Sequence, residues 1–336
     1  MNQCRLGFMI IKTPSRIHMS LIDLNGSYGR YDGGIGLTID KPNFTLKCDT
    51  TEKEEITVDF NKNITDNEIK SQCISKIKQS AEKIISHFKL EASFHFHVEE
   101  AFLPHTGLGS GTQTSLATAK LICEYNDIAV TGLELGKILK RGGTSGIGIY
   151  SFEKGGLIID GGHSKNEKKE FLPSSASKAS PPVLLGRYDF PSEWDILIAI
   201  TKSNNVMGNK EVNIFQEYCP VPKGDVEKLS HLIFMNMVPF LLEKNIEPFG
   251  DAINKIQNLG FKKVEVSLQQ EKIRRLMDKM REFGAYGVGM SSFGPAVYGI
   301  IDKNNSDVFK ATKEFLGNDG IVFKTKAQNH GFELKK

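Results

Sequence analysis

Pro104-His105-Thr106-Gly107-Leu108-Gly109-Ser110-Gly111-Thr112 runs straight into a helix-like stretch over 113–125, and this junction decides how the rest of the chain is read. Glycines alternate at 107, 109 and 111, and hydroxyls stand at Thr106, Ser110, Thr112, Thr114 and Ser115. Glycine has no Cβ, so backbone N–H groups in such a loop can approach a ligand closely. The helix behind adds unpaired N-terminal donors and the positive end of its dipole. Together they predict a site for phosphate or pyrophosphate. A tight turn capping a helix would need one glycine, without the ring of hydroxyls.

Working outward, short apolar runs at 6–11, 17–24, 34–39, 44–47 and 56–60, divided by Pro, Gly, Asn and Asp, predict strands. Thr65-x-x-Glu68 predicts a capping box, followed by Ile69, Cys73, Ile77, Ile84 and Phe88 at helical spacing. Phe94-His95-Phe96-His97-Val98 alternates, so it predicts a strand with its phenylalanines inward. His95 and His97 then share a solvated face with no third metal ligand in sight. Thr131-x-x-Glu134 predicts a second capping box, and 147–150 with 157–160 predict a hairpin turning through Glu153-Lys154-Gly155-Gly156. Between 164 and 182 the chain becomes polar and low in complexity, which predicts a mobile connection. We therefore divide the chain into an N-terminal domain (1–165), a connection (166–182) and a C-terminal domain (183–336). In the last of these, a strand at 194–200 precedes helices at 212–218, 226–242, 248–259 and 273–283. Strands at 286–290 and 296–301 flank Ser291-Ser292-Phe293-Gly294-Pro295, and a helix at 307–316 leads to a strand at 321–325. The order predicts an α+β protein with a mixed-sheet N-terminal domain and a C-terminal split βαβ, ferredoxin-like domain.

Composition bounds the function. At 336 residues the chain is long for one core, and 39% hydrophobic with 25% charged is ordinary for a globular protein. Forty-three basic against 40 acidic residues leave a net charge of +3, which implies no nucleic-acid partner. The cysteines, at 4, 48, 73, 123 and 219, are scattered and form no C-x-x-C pair. That argues against a disulfide framework or zinc site and fits a reducing cytoplasm. The apolar run at 6–11 is too short to span a membrane, so no membrane partner is expected.

Three segments line up in order: Thr13-Pro14-Ser15-Arg16-Ile17-His18 running into Gly33-Gly34-Ile35-Gly36, the 104–112 loop, and Gly287-Val288-Gly289-Met290-Ser291-Ser292-Phe293-Gly294. This order resembles the galactokinase, homoserine kinase, mevalonate kinase and phosphomevalonate kinase (GHMP) superfamily. There the first motif faces the acceptor, the second cradles ATP phosphates and the third closes the site. Two departures stand out. Where those kinases read GLGSS, this chain has Gly111; where several carry Asp in an S-G-I-D-like segment, it has Gly148 in Ser145-Gly146-Ile147-Gly148. Much of a kinase base's work is to deprotonate and orient the acceptor hydroxyl. A polyphosphate loop without that base suggests another use of a phosphate ester. The strings TPSRIHMSLIDLNGSYGRYDGGIGL, PHTGLGSGTQT, GGTSGIGIYSFEKGGLIIDGGH, EVNIFQEYCPVP and GMSSFGPAVY resemble one branch, the beta-ribofuranosylaminobenzene 5'-phosphate synthases.

That resemblance implies a decarboxylating phosphoribosyl-type transferase of methanopterin biosynthesis. Phosphoribosyl pyrophosphate and a para-substituted benzoate, 4-aminobenzoate or 4-hydroxybenzoate, would give an aryl C-riboside 5'-phosphate, carbon dioxide and pyrophosphate. Such a site must bind pyrophosphate with Mg2+ and stabilise an oxocarbenium-like centre away from water. The expected catalytic residues are Asp23, Arg30 and Asp32, with Arg30 forking onto the benzoate carboxylate and Asp23 near the anomeric carbon. Expected at the substrate and its phosphates are Arg16, His18, Gly107, Leu108, Gly109, Ser110, Gly111, Thr112, Gly143, Thr144, Ser145, Ser291 and Ser292, with Ser110 and Thr112 also as metal ligands. His18, His105 and His163 are candidate proton shuttles. A homodimer is the family default. Two other classes stay open: an ATP-dependent small-molecule kinase with a displaced base, and a non-catalytic ligand sensor on the same scaffold.

Overall fold

The computed structural model describes residues 8–51, 55–202, 209–305 and 307–336. In chain order the elements are β1 (Met9–Asp23), β2 (Arg30–Thr51), β3 (Thr57–Phe60), α1 (Asn67–Phe88), β4 (Ser93–Glu100), α2 (Ser110–Tyr125), α3 (Gly132–Leu139), α4 (Ile147–Glu153), β5 (Leu157–Asp160), β6 (His163–Ser164) and β7 (Leu184–Tyr188). There follow β8 (Asp195–Thr201), α5 (Asn209–Tyr218), α6 (Lys223–Leu232), α7 (Val238–Leu242), α8 (Ile246–Ile256), α9 (Gly260–Ser267), α10 (Glu271–Glu282), β9 (Gly287–Met290), β10 (Ala296–Ile301), α11 (Asp307–Leu316), β11 (Gly320–Thr325) and β12 (Glu333–Lys335).

The runs expected as four short strands fuse into two long ones, β1 and β2, paired antiparallel. Pro14 does not end β1 because the register shifts between Thr13 and Ser15, and a bulge accommodates a residue that cannot donate to the ladder. The first sheet runs β12-β1-β2-β4-β3, with β5 and β6 also on β2 and β7 on β5. β3 lies parallel to β4, as expected of a mixed sheet. Both β7 and β12 belong to this sheet, so the C-terminal half contributes strands to it. The second sheet runs β11-β8-β10-β9, all antiparallel, which is the split βαβ order expected. One continuous apolar cluster, from Ile11 and Phe96 through Phe190 and Trp194 to Ile198 and Tyr298, ties the two together.

Local chemistry explains the departures. The cap of α1 is Asp66, not Thr65: its Oδ1 accepts from the amides of Glu68 (2.8 Å) and Ile69 (3.0 Å), and its charge suits the helix N-terminus. The Thr131–Glu134 capping box forms as expected. Residues 147–150 are helical in α4, not a strand, so there is no hairpin there. Ile147, Ile149, Tyr150, Ser151 and Phe152 are all buried, and a helix buried nearly all round loses its 3.6-residue pattern. The single helix expected at 226–242 is divided by a wider turn over Ile233–Met237, where the Val238 amide bonds Ile233 O. This turn sits just before Pro239, which has no N–H to give. The strand expected at 6–11 lies partly outside the described residues. Residues 166–182 pack on the first sheet, with Lys168 reaching Asp32 and Ser177 reaching Gly143 O.

Candidate active site

All three motifs meet around the glycine loop. Gly107 and Gly109 both have φ of +88°, a backbone region that side chains rarely adopt. A Cβ on Gly107 would lie 2.3 Å from Ser291 O, and one on Gly109 would lie 3.2 Å from Arg16 Cγ. The loop is therefore pressed between the first and third motifs. Arg16 N donates to Leu108 O (3.0 Å) and Arg16 Nη1 to Gly107 O; Ser291 Oγ donates to Gly107 O (2.7 Å), and Ala296 N to Thr106 O (3.2 Å). His18 N in turn donates to Ser291 Oγ (2.9 Å) and Ser292 N to His18 O (2.9 Å).

The helix α2 starts inside the loop, capped by Gly109 without any side-chain bond. The amides of Thr112 and Gln113 turn back to Gly109 O, leaving those of Ser110 and Gly111 free. The hydroxyls of Ser110 and Thr112 also find no partner among the described residues. These donors open into a cavity of about 590 Å³ lined further by Arg16, Lys76, Pro104, His105, Arg141 and Glu211. It adjoins a second cavity of about 190 Å³, with Leu21, Ile149, Phe215 and Phe293 among its walls and His18, Ser145, Gly148 and Glu265 as well. Arg16, Thr112, Arg141, Glu211, Ser292 and Phe293 line both.

The cavities carry unpaired positive charge. Among the described residues, Arg16, Lys76 and Arg141 have no carboxylate partner; Arg141 reaches only Ser115 Oγ (3.2 Å). Burial pushes Arg16 down to about 10 and lowers Arg141. Lys76 is lowered by burial and then by Arg141 and Lys83 nearby. Cations held this way, beside free helix N-terminal amides, form a site for an anion. In the same lining, burial and then the charge of Glu265 raise Glu211 to about 7. Glu265 is raised by burial, against the ion pair it makes with Lys262, whose Nζ also donates to Met290 O (3.2 Å) and Ser292 O (3.3 Å).

Several expected residues take other places. Asp23 and Arg30 are not brought to either cavity: Asp23 Oδ1 accepts from the amides of Asn25 (2.9 Å) and Gly26 (2.7 Å), and Arg30 donates to Gly161 O (2.8 Å) and Gly162 O (2.9 Å). Asp32 is buried at a φ of +65°, its Oδ2 shared by His163 Nδ1 (2.7 Å) and Lys168 Nζ (2.8 Å). Lys168 also donates to Gly143 O (3.1 Å) and lies 3.2 Å from Thr144 Oγ1, so Asp32 and His163 support the 142–145 turn from behind. Gly143 lines neither cavity. Thr144 and Ser145 do line the smaller one, but their hydroxyls are spent on Leu172 O (2.6 Å) and Asp160 Oδ2 (3.1 Å). Asp160 itself is raised to about 7 by burial, against three hydrogen bonds that favour its charge. Leu108 is a core side chain that contributes only its carbonyl, and Ser291, fully buried, spends its hydroxyl on the loop. Ser292 lines both cavities.

His18 is buried, faces the smaller cavity with an unpartnered Nδ1, and is held neutral by burial and by Arg16 and Lys262. His105 lines the larger cavity. Lys76, Arg141, Glu211 and Glu265 escaped the sequence reading. Arg141 stands beside the second glycine cluster and Glu211 opens the EVNIFQEYCPVP string, the only signals they carry.

Position 148 accounts for the missing base. A Cβ on Gly148 would stand 3.1 Å from Thr112 Cγ2, and Gln113 Nε2 holds Gly148 O at 2.9 Å. The helices α2 and α4 touch there, so a side chain at 148 would press on Thr112, which would have to give by a few tenths of an ångström.

The chain matches the family models for the GHMP kinases N terminal domain over residues 75–156 and GHMP kinases C terminal over 237–315. It is 49% identical over 324 residues to beta-ribofuranosylphenol 5'-phosphate synthase of Methanothermobacter thermautotrophicus, covering 96% of this chain and 97% of that protein. The protein of the same name from Methanocaldococcus jannaschii is 45% identical over 336 residues, covering 97% and 100%. Among solved structures, mevalonate kinase of L. major superposes with a TM-score of 0.70 at 14% identity, covering 95% of this chain and 96% of that one, a likeness of fold.

Proposed function

The chain belongs to the beta-ribofuranosylphenol 5'-phosphate synthase family within the GHMP kinase superfamily, and from that premise we propose how its two joined cavities divide the substrates. The protein is a pentosyltransferase that forms a C-riboside with decarboxylation. The larger cavity takes the diphosphate of phosphoribosyl pyrophosphate on the free amides of Ser110 and Gly111 and on Arg16, Lys76 and Arg141. The smaller takes the benzoate, its ring between Leu21, Ile149, Phe215 and Phe293 and its carboxylate toward Arg16 and Arg141. The relatives' name specifies a phenol, which favours 4-hydroxybenzoate over 4-aminobenzoate as the acceptor.

The observation that carries this reading is the group of half-buried cations, unpaired among the described residues, beside the free amides of α2, with no base at position 148. As the C1–O bond breaks, its electron pair leaves on the diphosphate, where those cations receive the charge. The ring carbon bearing the carboxylate supplies the pair for the new C–C bond. The electrons of its bond to the carboxylate then return to the ring as carbon dioxide departs. The free hydroxyls of Ser110 and Thr112 are hard oxygen donors suited to Mg2+, which when bound would neutralise charge on the departing diphosphate.

Asp32, His163 and Lys168 act by fixing the 142–145 turn. Asp23 and Arg30 act by shaping the turns that carry Asp32 and Asp160. We extend the proposal to a cytoplasmic homodimer. No helix among the described residues is long and apolar enough to cross a membrane, and Phe234, Met235 and Leu242 give an exposed apolar face for a second copy. Sedimentation of the full chain tests the dimer. The reaction is tested by incubating the protein with phosphoribosyl pyrophosphate, Mg2+ and carboxyl-labelled 4-hydroxybenzoate. Equimolar labelled carbon dioxide and pyrophosphate are expected; ADP formed from ATP with an acceptor, and no carbon dioxide, would establish the kinase instead.

A further inference from the structure

Glu211 is out of keeping with its surroundings. It stands in the first turn of α5 and lines both cavities, as Arg16 and Arg141 do, yet it makes no ion pair or hydrogen bond among the described residues. Its neighbour Glu265 is compensated by Lys262, whereas Glu211 has no such partner among the described residues. A half-buried carboxylate in a diphosphate site repels the ligand it faces, and burial adds the cost of desolvation. Such a group is useful only where positive charge appears during the reaction.

Two positive centres are available, the magnesium that accompanies the diphosphate and the ribosyl carbon as its bond breaks. Place separates them. With the diphosphate on the amides of α2 in the larger cavity and the arene against Leu21, Ile149, Phe215 and Phe293 in the smaller, the carbon that passes from one to the other must lie where the cavities join. Glu211 lines that junction.

Resting on the proposed function, we propose that the Glu211 carboxylate faces the anomeric carbon and stabilises the positive charge that builds as the C1–O bond breaks. It forms no bond and takes no proton. The electron pair of C1–O leaves on the diphosphate, and the arene supplies the pair that discharges C1. This is the role the sequence reading expected of Asp23, moved to the one acidic side chain that lines both cavities.

The test uses the full chain with Mg2+, phosphoribosyl pyrophosphate and carboxyl-labelled 4-hydroxybenzoate. Glu211→Gln is expected to lower kcat by about 100- to 1000-fold, the range for removing a preorganised electrostatic contact. KM for phosphoribosyl pyrophosphate, its calorimetric Kd and the magnesium half-saturation should rise no more than about threefold above the parent, and loss of the repelling charge should if anything tighten the diphosphate. Glu211→Asp, which keeps the charge on a shorter stem, should recover part of kcat. Melting curves accompany both, and should one variant not fold, the other supplies the readout: a kcat below the parent's with magnesium half-saturation unchanged supports the proposal, and a kcat equal to the parent's refutes it. A tenfold or larger rise in magnesium half-saturation would make Glu211 a metal ligand and overturn the proposal, as would an unchanged kcat. If the parent releases no carbon dioxide, the proposed function fails and this inference with it; if the parent is active and the variants match it, only the inference fails.

Discussion

Valine at position 109 separates a phosphate-binding loop from a mere turn. Gly109 has a φ of +88°, where a Cβ costs about 1–2 kcal/mol. That Cβ would stand 3.2 Å from both Cγ and Cζ of Arg16, and the two methyls of valine need further room on the same side. The guanidinium must therefore leave its place under the loop, where it donates to Gly107 O. A charged hydrogen-bond donor withdrawn from the diphosphate costs about 1.5–3 kcal/mol of binding. The backbone strain falls on stability and the lost contact on affinity, so the two are read by different measurements. Calorimetry should show the Kd for phosphoribosyl pyrophosphate weakened roughly ten- to hundredfold. Melting should fall by no more than about 8 °C, given about 2–4 °C per kcal/mol for chains somewhat shorter than this one. Gly109→Ala shares the strain without the added methyls and should lie between. An affinity within twofold of the parent, together with the expected loss of Tm, would show that the loop is a structural turn and that the diphosphate binds elsewhere.

Gly148→Asp restores the residue type that several kinases carry. The 3.1 Å approach to Thr112 should make it lower carbon dioxide release without creating ATP consumption, and acceptor-dependent ADP in a coupled assay would refute this. Asp160, raised to about 7 by burial against an unfolded value near 3.9, binds its proton more tightly when folded. Its contribution is full below about pH 4 and is lost as pH rises toward 7, so Asp160→Asn should flatten the fall of Tm across that window; an unchanged slope would refute the assignment. Arg30→Lys cannot hold Gly161 O and Gly162 O together, so the turn beside Asp160 and Ser145 should loosen. KM for the benzoate should then rise more than KM for phosphoribosyl pyrophosphate; equal changes in both would count against a link between this turn and the smaller cavity.

The glycine loop, its helix and the ferredoxin-like sheet order were legible because each rests on local chemistry. Positive φ at Gly107 and Gly109, the alternation at 94–98 and the Thr131–Glu134 box need no partner from elsewhere to be recognised. What failed depended on tertiary context. Residues 147–150 resemble a strand because their burial on all sides erases the helical period. Asp66 took the cap from Thr65 by one residue, a choice made by which oxygen reaches two amides at once. The dense charge at 16–32 marked an important segment but not which way each side chain turns. Arg16 enters the site, while Asp23, Arg30 and Asp32 hold backbone and buried partners.

The residues that the sequence could not supply share one property, that each acts across a gap in the chain. Lys76 and Arg141 reach the loop from α1 and from the end of α3, and Glu211 reaches it from the other half of the molecule. None has a spacing relation to Ser110, so no motif can include it. Their charges nevertheless carry the distinction between the chemistries this scaffold supports. A kinase breaks a P–O bond and needs a base at the acceptor; a ribosyl transferase breaks a C–O bond and needs charge beside carbon. The same free amides at the start of α2 serve both, which is why the loop alone left the kinase open. Glycine at 148, pressed against Thr112, leaves no base there, and a carboxylate without an ion-pair partner among the described residues, where the cavities join, supplies the other requirement. A scaffold with both changes is suited to departure of a diphosphate from carbon rather than transfer of phosphorus.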